Sequence, residues 1–195
     1  MASIKLLAFS GSLRVGSYNQ RLIRLAADAA RQAGAEVTEI RLADFALPIF
    51  DPHIEATAFP DSARELKRLF RSHHGFLVAA PEYNGSISGV LKNAIDWVSR
   101  PTEGETETAL SAFRTKVAGI MSASIGPFGG LRGLMHLRQS LSTIQVLVVP
   151  EQVAVPFAHK AFEGDELIDA LPKQLLVPLT RRVVQLAALA TVADL

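Results

Sequence analysis

At 195 residues, 49% of them apolar, the chain is long enough to bury one sizeable core, and a single domain over 1–195 is expected. Its 20 basic and 19 acidic residues leave a net charge of +1, which removes the electrostatic case for nucleic acid or an anionic membrane surface as partner. The absence of cysteine excludes disulfides and a cysteine nucleophile. No basic region precedes a signal-length apolar core, and no apolar run approaches the ~20 residues that cross a bilayer, so a cytoplasmic protein without membrane insertion is expected.

The run Ile4 to Phe9 reads as a buried strand. Ser10-Gly11-Ser12-Leu13-Arg14-Val15-Gly16-Ser17-Tyr18-Asn19 follows as a tight loop, and Leu22, Leu25, Ala26, Ala29 and Ala33 then mark a helix that ends at Gly34. Residues 36–42 alternate as a half-exposed strand near a sheet edge. Residues 43–60, with Pro48, Pro52 and Pro60, read as an ordered loop. A helix capped at Asp61 or Ser62, with Glu65 in support, carries Leu66, Leu69 and Phe70 and ends near His73-His74.

Gly75 to Ala80 is continuously apolar, as in a parallel strand covered on both faces, and stops at Pro81-Glu82-Tyr83-Asn84-Gly85. Helical spacing resumes from Ile87 and runs to Arg100-Pro101. Residues 101–114, with Glu103, Glu105 and Glu107, read as a solvated loop and not as a metal site. Val117 to Met121 is a further buried strand leading into the loop Ser122-Ala123-Ser124-Ile125-Gly126-Pro127-Phe128-Gly129-Gly130. A helix bearing Leu131, Leu134, Leu137 and Leu141 follows, then the strand Val146 to Val149. The last helix carries Leu175, Leu176, Leu179, Val183 and Leu186, with Pro178 in its first turn or kinking it.

Five strands alternating with helices imply an α/β fold with a doubly wound parallel sheet in the order 2-1-3-4-5. Ligands of such sheets sit outside the carboxyl ends of the strands, where the order reverses. The loops 10–19, 81–85 and 122–130 should therefore line one crevice.

The first loop opens a helix, so its amides and the positive helix end favour an anion. Ser10, Ser12, Ser17 and Asn19 add short donors, and Arg14 adds a fixed charge that suits phosphate. Gly11 and Gly16 do not make the G-x-G-x-x-G of a dinucleotide fingerprint, and Ser17 stands where a nucleoside triphosphatase needs lysine. One terminal phosphate monoester is the guest that remains. In the second loop, Pro81 stops the ladder so that the peptide groups of 82–85 face a flat heteroaromatic ring, and Tyr83 can cover it. Asn84 and Gly85 allow the close turn.

Gly11 to Asn19, Pro81-Glu82-Tyr83-Asn84-Gly85-Ser86 and Leu91-Lys92-Asn93-Ala94-Ile95-Asp96-Trp97 resemble, in order and spacing, the NADPH-dependent FMN reductase family of flavodoxin-like proteins. The resemblance covers residues 4 to about 155. It implies FMN as cofactor, NADPH or NADH as reductant, and a small quinone-like acceptor, with azo dyes, flavin and chromate as other acceptors of the family. The phosphate would be held by Ser12, Arg14, Ser17 and Asn19, with Ser10, Leu13 and Tyr18 beside them. The ring would lie against Pro81, Glu82, Tyr83, Asn84 and Gly85 and against Ser122, Ala123, Ser124 and Gly126. Ala123 stands where relatives carry a hydroxyl, so Ser122 or Ser124 is expected to substitute. The resemblance also implies a homodimer or homotetramer. No acid–base residue is demanded, because the flavin carries the chemistry. The alternative from the same residues is a single-electron carrier of flavodoxin type, and a weaker one is a phosphate-binding interaction protein without turnover.

Four other residues have plain readings. His73 and His74 are expected to be solvated or to face the helix dipole, without a metal. Trp97 belongs to packing, and Arg132 to a surface pair with a local carboxylate, the alternative being a contact with the acceptor or the nicotinamide phosphate at the entrance.

Overall fold

The computed structural model describes residues 3–102, 104–106 and 108–192. Its strands are β1 (Ile4–Ser10), β2 (Ala35–Arg41), β3 (Gly75–Ala79), a hairpin of β4 (Glu82–Tyr83) and β5 (Ser86–Ile87), β6 (Val117–Ala123), β7 (Leu147–Val155), and a second hairpin of β8 (Phe162–Glu163) and β9 (Glu166–Leu167). The helices are α1 (Tyr18–Gln32), α2 (Pro52–Thr57), α3 (Asp61–Ser72), α4 (Gly89–Val98), α5 (Leu131–Thr143), α6 (Ala158–Ala161) and α7 (Ala170–Val192). Five strands form one parallel sheet in the order β2-β1-β3-β6-β7, the flavodoxin-like 2-1-3-4-5 arrangement once the hairpins are set aside.

Side chains alternate across the sheet, so each face needs its own cover. Leu6, Ala8, Leu77 and Met121 point to the face closed by α1 and α7, where Leu22, Ala26, Leu179 and Val183 meet them. Leu7, Phe9, Phe76, Val78 and Ile120 point to the other face, closed by Leu66 and Phe70 of α3, Leu91 and Ile95 of α4, and Leu134 and Leu137 of α5. Phe70 lies within 5.6 Å, centroid to centroid, of Phe9, Phe76 and Phe113 in that second core. Trp97 is a packing residue: its Nε1 donates to Pro48 O at 2.7 Å, and Phe50 and Phe59 meet its ring edge-on.

The structure corrects several local expectations. The segment 43–60 is not all loop, because Asp51 caps the short helix α2 by accepting from the His53 N–H at 2.7 Å, with Pro52 at its first position. Helix α3 has Pro60, not Asp61 or Ser62, at its N-cap, without a side-chain cap. The last sheet strand continues through Pro150 to Val155, which an edge strand tolerates because one side of its ladder is unpaired. Pro178 lies nine residues into α7, beyond the first turn.

Two polar readings also change. His73 is buried, with Nε2 2.9 Å from Thr38 Oγ1 and Nδ1 at hydrogen-bond distance from Leu69 O, and burial pushes its pKa down. Glu105 is not solvated: its side chain is 10% exposed and pairs with Lys67, which is 3% exposed and also donates to Arg100 O. Burial acts to raise the Glu105 carboxyl, but Lys67, Ser111 and Thr102 outweigh it and hold the pKa at about 2. Glu103 and Glu107 lie outside the described residues.

Candidate active site

Register brings the three loops to one level. Ser10 pairs with Ala79 and Ala79 with Met121, so the last residues of β1 and β3 share a rung with β6, which runs two residues further to Ala123. The ladder continues one step beyond, through Gly11 N to Ala79 O at 2.9 Å and Ala80 N to Met121 O at 2.8 Å. Immediately above lies a cleft of about 150 Å³. Ser12, Arg14, Ser17, Tyr18 and Asn19 form one wall, Pro81, Glu82 and Tyr83 another, and Ala123, Ser124 and Ile125 the third.

The first wall is a chain of hydroxyls each of which already accepts one backbone N–H. Ser10 Oγ accepts from Ser12 N at 3.2 Å, Ser12 Oγ from Arg14 N at 3.3 Å, and Ser17 Oγ from Asn19 N at 3.2 Å. Each O–H proton is left to donate, as an anion requires. Ser17 caps α1, whose first turn holds no acidic residue, so no carboxylate of the helix itself neutralises its positive end. Arg14 is exposed, and no carboxylate among the described residues pairs with it. This donor set fits a phosphate.

Asn19 has a second employment. Its Nδ2 donates to Ala123 O at 2.8 Å and its Oδ1 accepts from Ala123 N at 2.9 Å, so a side-chain amide ties the start of α1 to the end of β6 across β3. One Nδ2 hydrogen is left for a ligand. Two residues that sequence reasoning missed brace the same loop: Ser88 Oγ donates to Gly11 O at 2.6 Å, and Gln20 Nε2 to Ser12 O at 3.2 Å. Ser88 carries the signal of an N-cap ahead of an apolar helix, and it is the N-cap of α4.

In the second wall, Asn84 and Gly85 form the two-residue turn of the β4–β5 hairpin, both with positive φ (52° and 77°). Such a turn matches the twist of the paired strands, and Asn-Gly is its favoured sequence. Both residues sit at the tip and do not line the cleft, whereas Tyr83 does and is half exposed. Glu82 turns toward α5, where Arg132 pairs with it, so Arg132 has the carboxylate partner expected of it.

In the third wall, Ser124 lines the cleft and Ser122 does not. Ser122 Oγ is fully buried, has no hydrogen-bond partner among the described residues, and faces Gly130. The hydroxyl available beside Ala123 is therefore that of Ser124. Gly126 stands behind it, donating to Ser124 Oγ at 3.2 Å, and the exposed Ile125, which periodicity does not reveal, reaches the cleft instead. Ser10 lines a neighbouring cavity of about 190 Å³ and meets the cleft through Ser12; Leu13 points to solvent.

A larger cavity, about 720 Å³, lies in the groove between α4 and α5. Lys92 and Asp96 in it pair with each other, Arg100, His136 and the hydroxyl residues Ser86, Ser99, Ser140 and Thr143 also line it, and none of residues 10–19, 81–85 or 122–130 does. Among the described residues no group of three or more His, Asp or Glu side chains could hold a metal ion, and no helix is long and apolar enough to cross a membrane.

The family model described as NADPH-dependent FMN reductase matches residues 4–160. An NAD(P)H-dependent FMN reductase of Pseudomonas aeruginosa is 38% identical over 177 residues, 89% of each chain. A quinone reductase of Escherichia coli is 33% identical over 148 residues, covering 75% of this chain and 73% of that one. The solved structure of FerB, an NAD(P)H:(acceptor) oxidoreductase from Paracoccus denitrificans, superposes with a TM-score of 0.79 at 24% identity, over 96% of this chain and 98% of that one, and shows the same fold. Sequence motifs, sheet order and cleft chemistry thus converge: this chain belongs to the NADPH-dependent FMN reductase family.

Proposed function

We propose that the cleft holds FMN and that the protein passes electrons from NADPH or NADH, through that cofactor, to a small quinone-like acceptor. The observation that carries this reading is the common rung of β1, β3 and β6, which sets a phosphate-type donor cluster within one cleft of an aromatic, backbone-rich wall. FMN, when bound, supplies the two-electron chemistry, accepting hydride from the nicotinamide and returning electrons to the acceptor. The chain's own residues bind and orient. Ser12 and Ser17 donate O–H protons to the phosphate, and Arg14 and the α1 N-terminus neutralise it. Pro81 and Tyr83 flank the ring on one side, and Ala123 to Ile125 on the other. The relatives named as reductases and the near-neutral charge disfavour the single-electron carrier. A cytoplasmic location, where reduced nicotinamide is available, and assembly as a homodimer or homotetramer belong to the same reading.

The test is FMN titration of the protein followed by flavin fluorescence, with nicotinamide oxidation measured against a panel of quinones. Saturable uptake and quinone-dependent turnover are expected. Arg14→Ala should weaken FMN binding by about 10- to 100-fold, the worth of a charge-assisted contact of roughly 1.5–3 kcal/mol. It should leave the melting temperature of the FMN-free protein unchanged. A protein that takes up no FMN sinks the proposal, and unaltered affinity in Arg14→Ala removes that residue from the site.

A further inference from the structure

Helix α5 starts from Gly130, which has no side chain to cap it, and its first turn holds no acidic residue. A carboxylate from a distant segment fills the place. Glu82 Oε2 accepts from the Gly133 N–H at 3.1 Å, while Oε1 accepts from Arg132 Nε at 2.8 Å and from its Nη2. The Glu82 side chain is 7% exposed whereas that of Arg132 is 60% exposed. Burial acts to raise the Glu82 carboxyl, but Arg132 and the Gly133 N–H outweigh it, so its pKa lies below the ordinary value.

The packing leaves little room for any other arrangement. A Cβ at Gly133 would sit 3.2 Å from Ser86 O and 3.4 Å from Glu82 Cβ, so the hairpin rests directly on the helix. Ser86 Oγ and His136 Nδ1, 2.9 Å apart, join the far strand of the hairpin to the same helix. Glu82 therefore stands at a junction: its backbone belongs to the cleft wall, and its carboxylate to the N-terminus of α5.

We propose that Glu82 is a positioning residue for the bound flavin, seating the 82–87 hairpin on α5 and cancelling the positive charge that Arg132 and the helix end would otherwise present to the cleft. The proposal rests on the FMN reading above. Cancellation has a sign that seating alone lacks. Two-electron reduction of FMN with uptake of one proton leaves the ring one negative charge richer, so extra positive charge nearby favours the reduced form.

Glu82→Gln keeps the shape and one oxygen acceptor while removing the charge. With FMN bound, its affinity for reduced over oxidised flavin should rise about tenfold, which moves a two-electron midpoint potential up by about 30 mV. Adding Arg132→Gln should return the potential to the parent value. Arg132→Gln alone, on an exposed side chain, should lower it by a similar amount, and this variant decides the matter if Glu82→Gln does not fold. Potentials equal to the parent's in an FMN-loaded variant overturn the proposal, because a merely structural role shifts the affinity of both redox forms together. Failure of the parent protein to take up FMN would instead strike the functional reading itself.

Discussion

Two helices in this protein start from loops of the same make, strand followed by serines and glycines, yet their N-termini are put to opposite uses. The α1 end is capped by its own Ser17, has no acidic residue in its first turn, and opens onto the cleft. The α5 end has a glycine for a cap and receives the Glu82 carboxylate from another segment. One end is free to attract a guest anion and the other is already satisfied by the protein. A strand, a small-residue loop and a helix therefore do not define an anion site until the fate of the first-turn N–H groups is known.

The glycines at the two ends break that comparison most sharply. A Cβ on Gly130 would come within 1.9 Å of Ser122 Oγ on the rigid end of β6, at a φ of 86°. Gly130→Ala is expected to cost about 3 kcal/mol, left-handed strain and overpacking together. Gly16 also has a positive φ (69°), but no atom of the described residues lies within 4 Å of its would-be Cβ, so Gly16→Ala should cost only about 1 kcal/mol. Thermal melts of the FMN-free variants check both, at roughly 2–4 °C per kcal/mol for a chain of this size. Equal losses would mean that the α5 end is no more tightly packed than the α1 end.

Asn19→Ala comes next. It strips the Ala123 N–H and C=O of their buried partner and should destabilise by about 2 kcal/mol. It should also weaken FMN binding, which Arg14→Ala does without loss of stability. A melt unchanged by Asn19→Ala would show that the two walls are held by something else. Smallest of all is Ser122→Ala: an unpartnered buried hydroxyl is removed, so stability should stay within about 0.5 kcal/mol or rise, with FMN affinity unchanged. Weakened binding in that variant would bring Ser122 back into the site.

The sheet, its order and the meeting of three loops were legible because buried parallel strands, helical spacing and glycine-rich connections are local signals. The contacts that make the cleft specific are not local. Asn19 meets Ala123 across 104 residues and Glu82 meets Gly133 across 51, and no spacing rule links such pairs. The choice between Ser122 and Ser124 beside Ala123 stays open in the sequence for the same reason: β6 is covered on both faces, and only the packing of the α5 start sets Ser122 Oγ against Gly130. Glu105 reads as solvated because its neighbours in sequence are polar, whereas its partner Lys67 comes from helix α3. The α2 helix escaped notice because six residues between prolines give periodicity too little length to speak.

The Asn19 tie carries a kinetic consequence. Because it spans the intervening strand, the gap between the two outer walls is fixed before any cofactor arrives, and little ordering remains to be done on entry. Uptake of flavin by the empty protein should then follow simple second-order kinetics, its speed rising with concentration without the plateau that a slow rearrangement imposes.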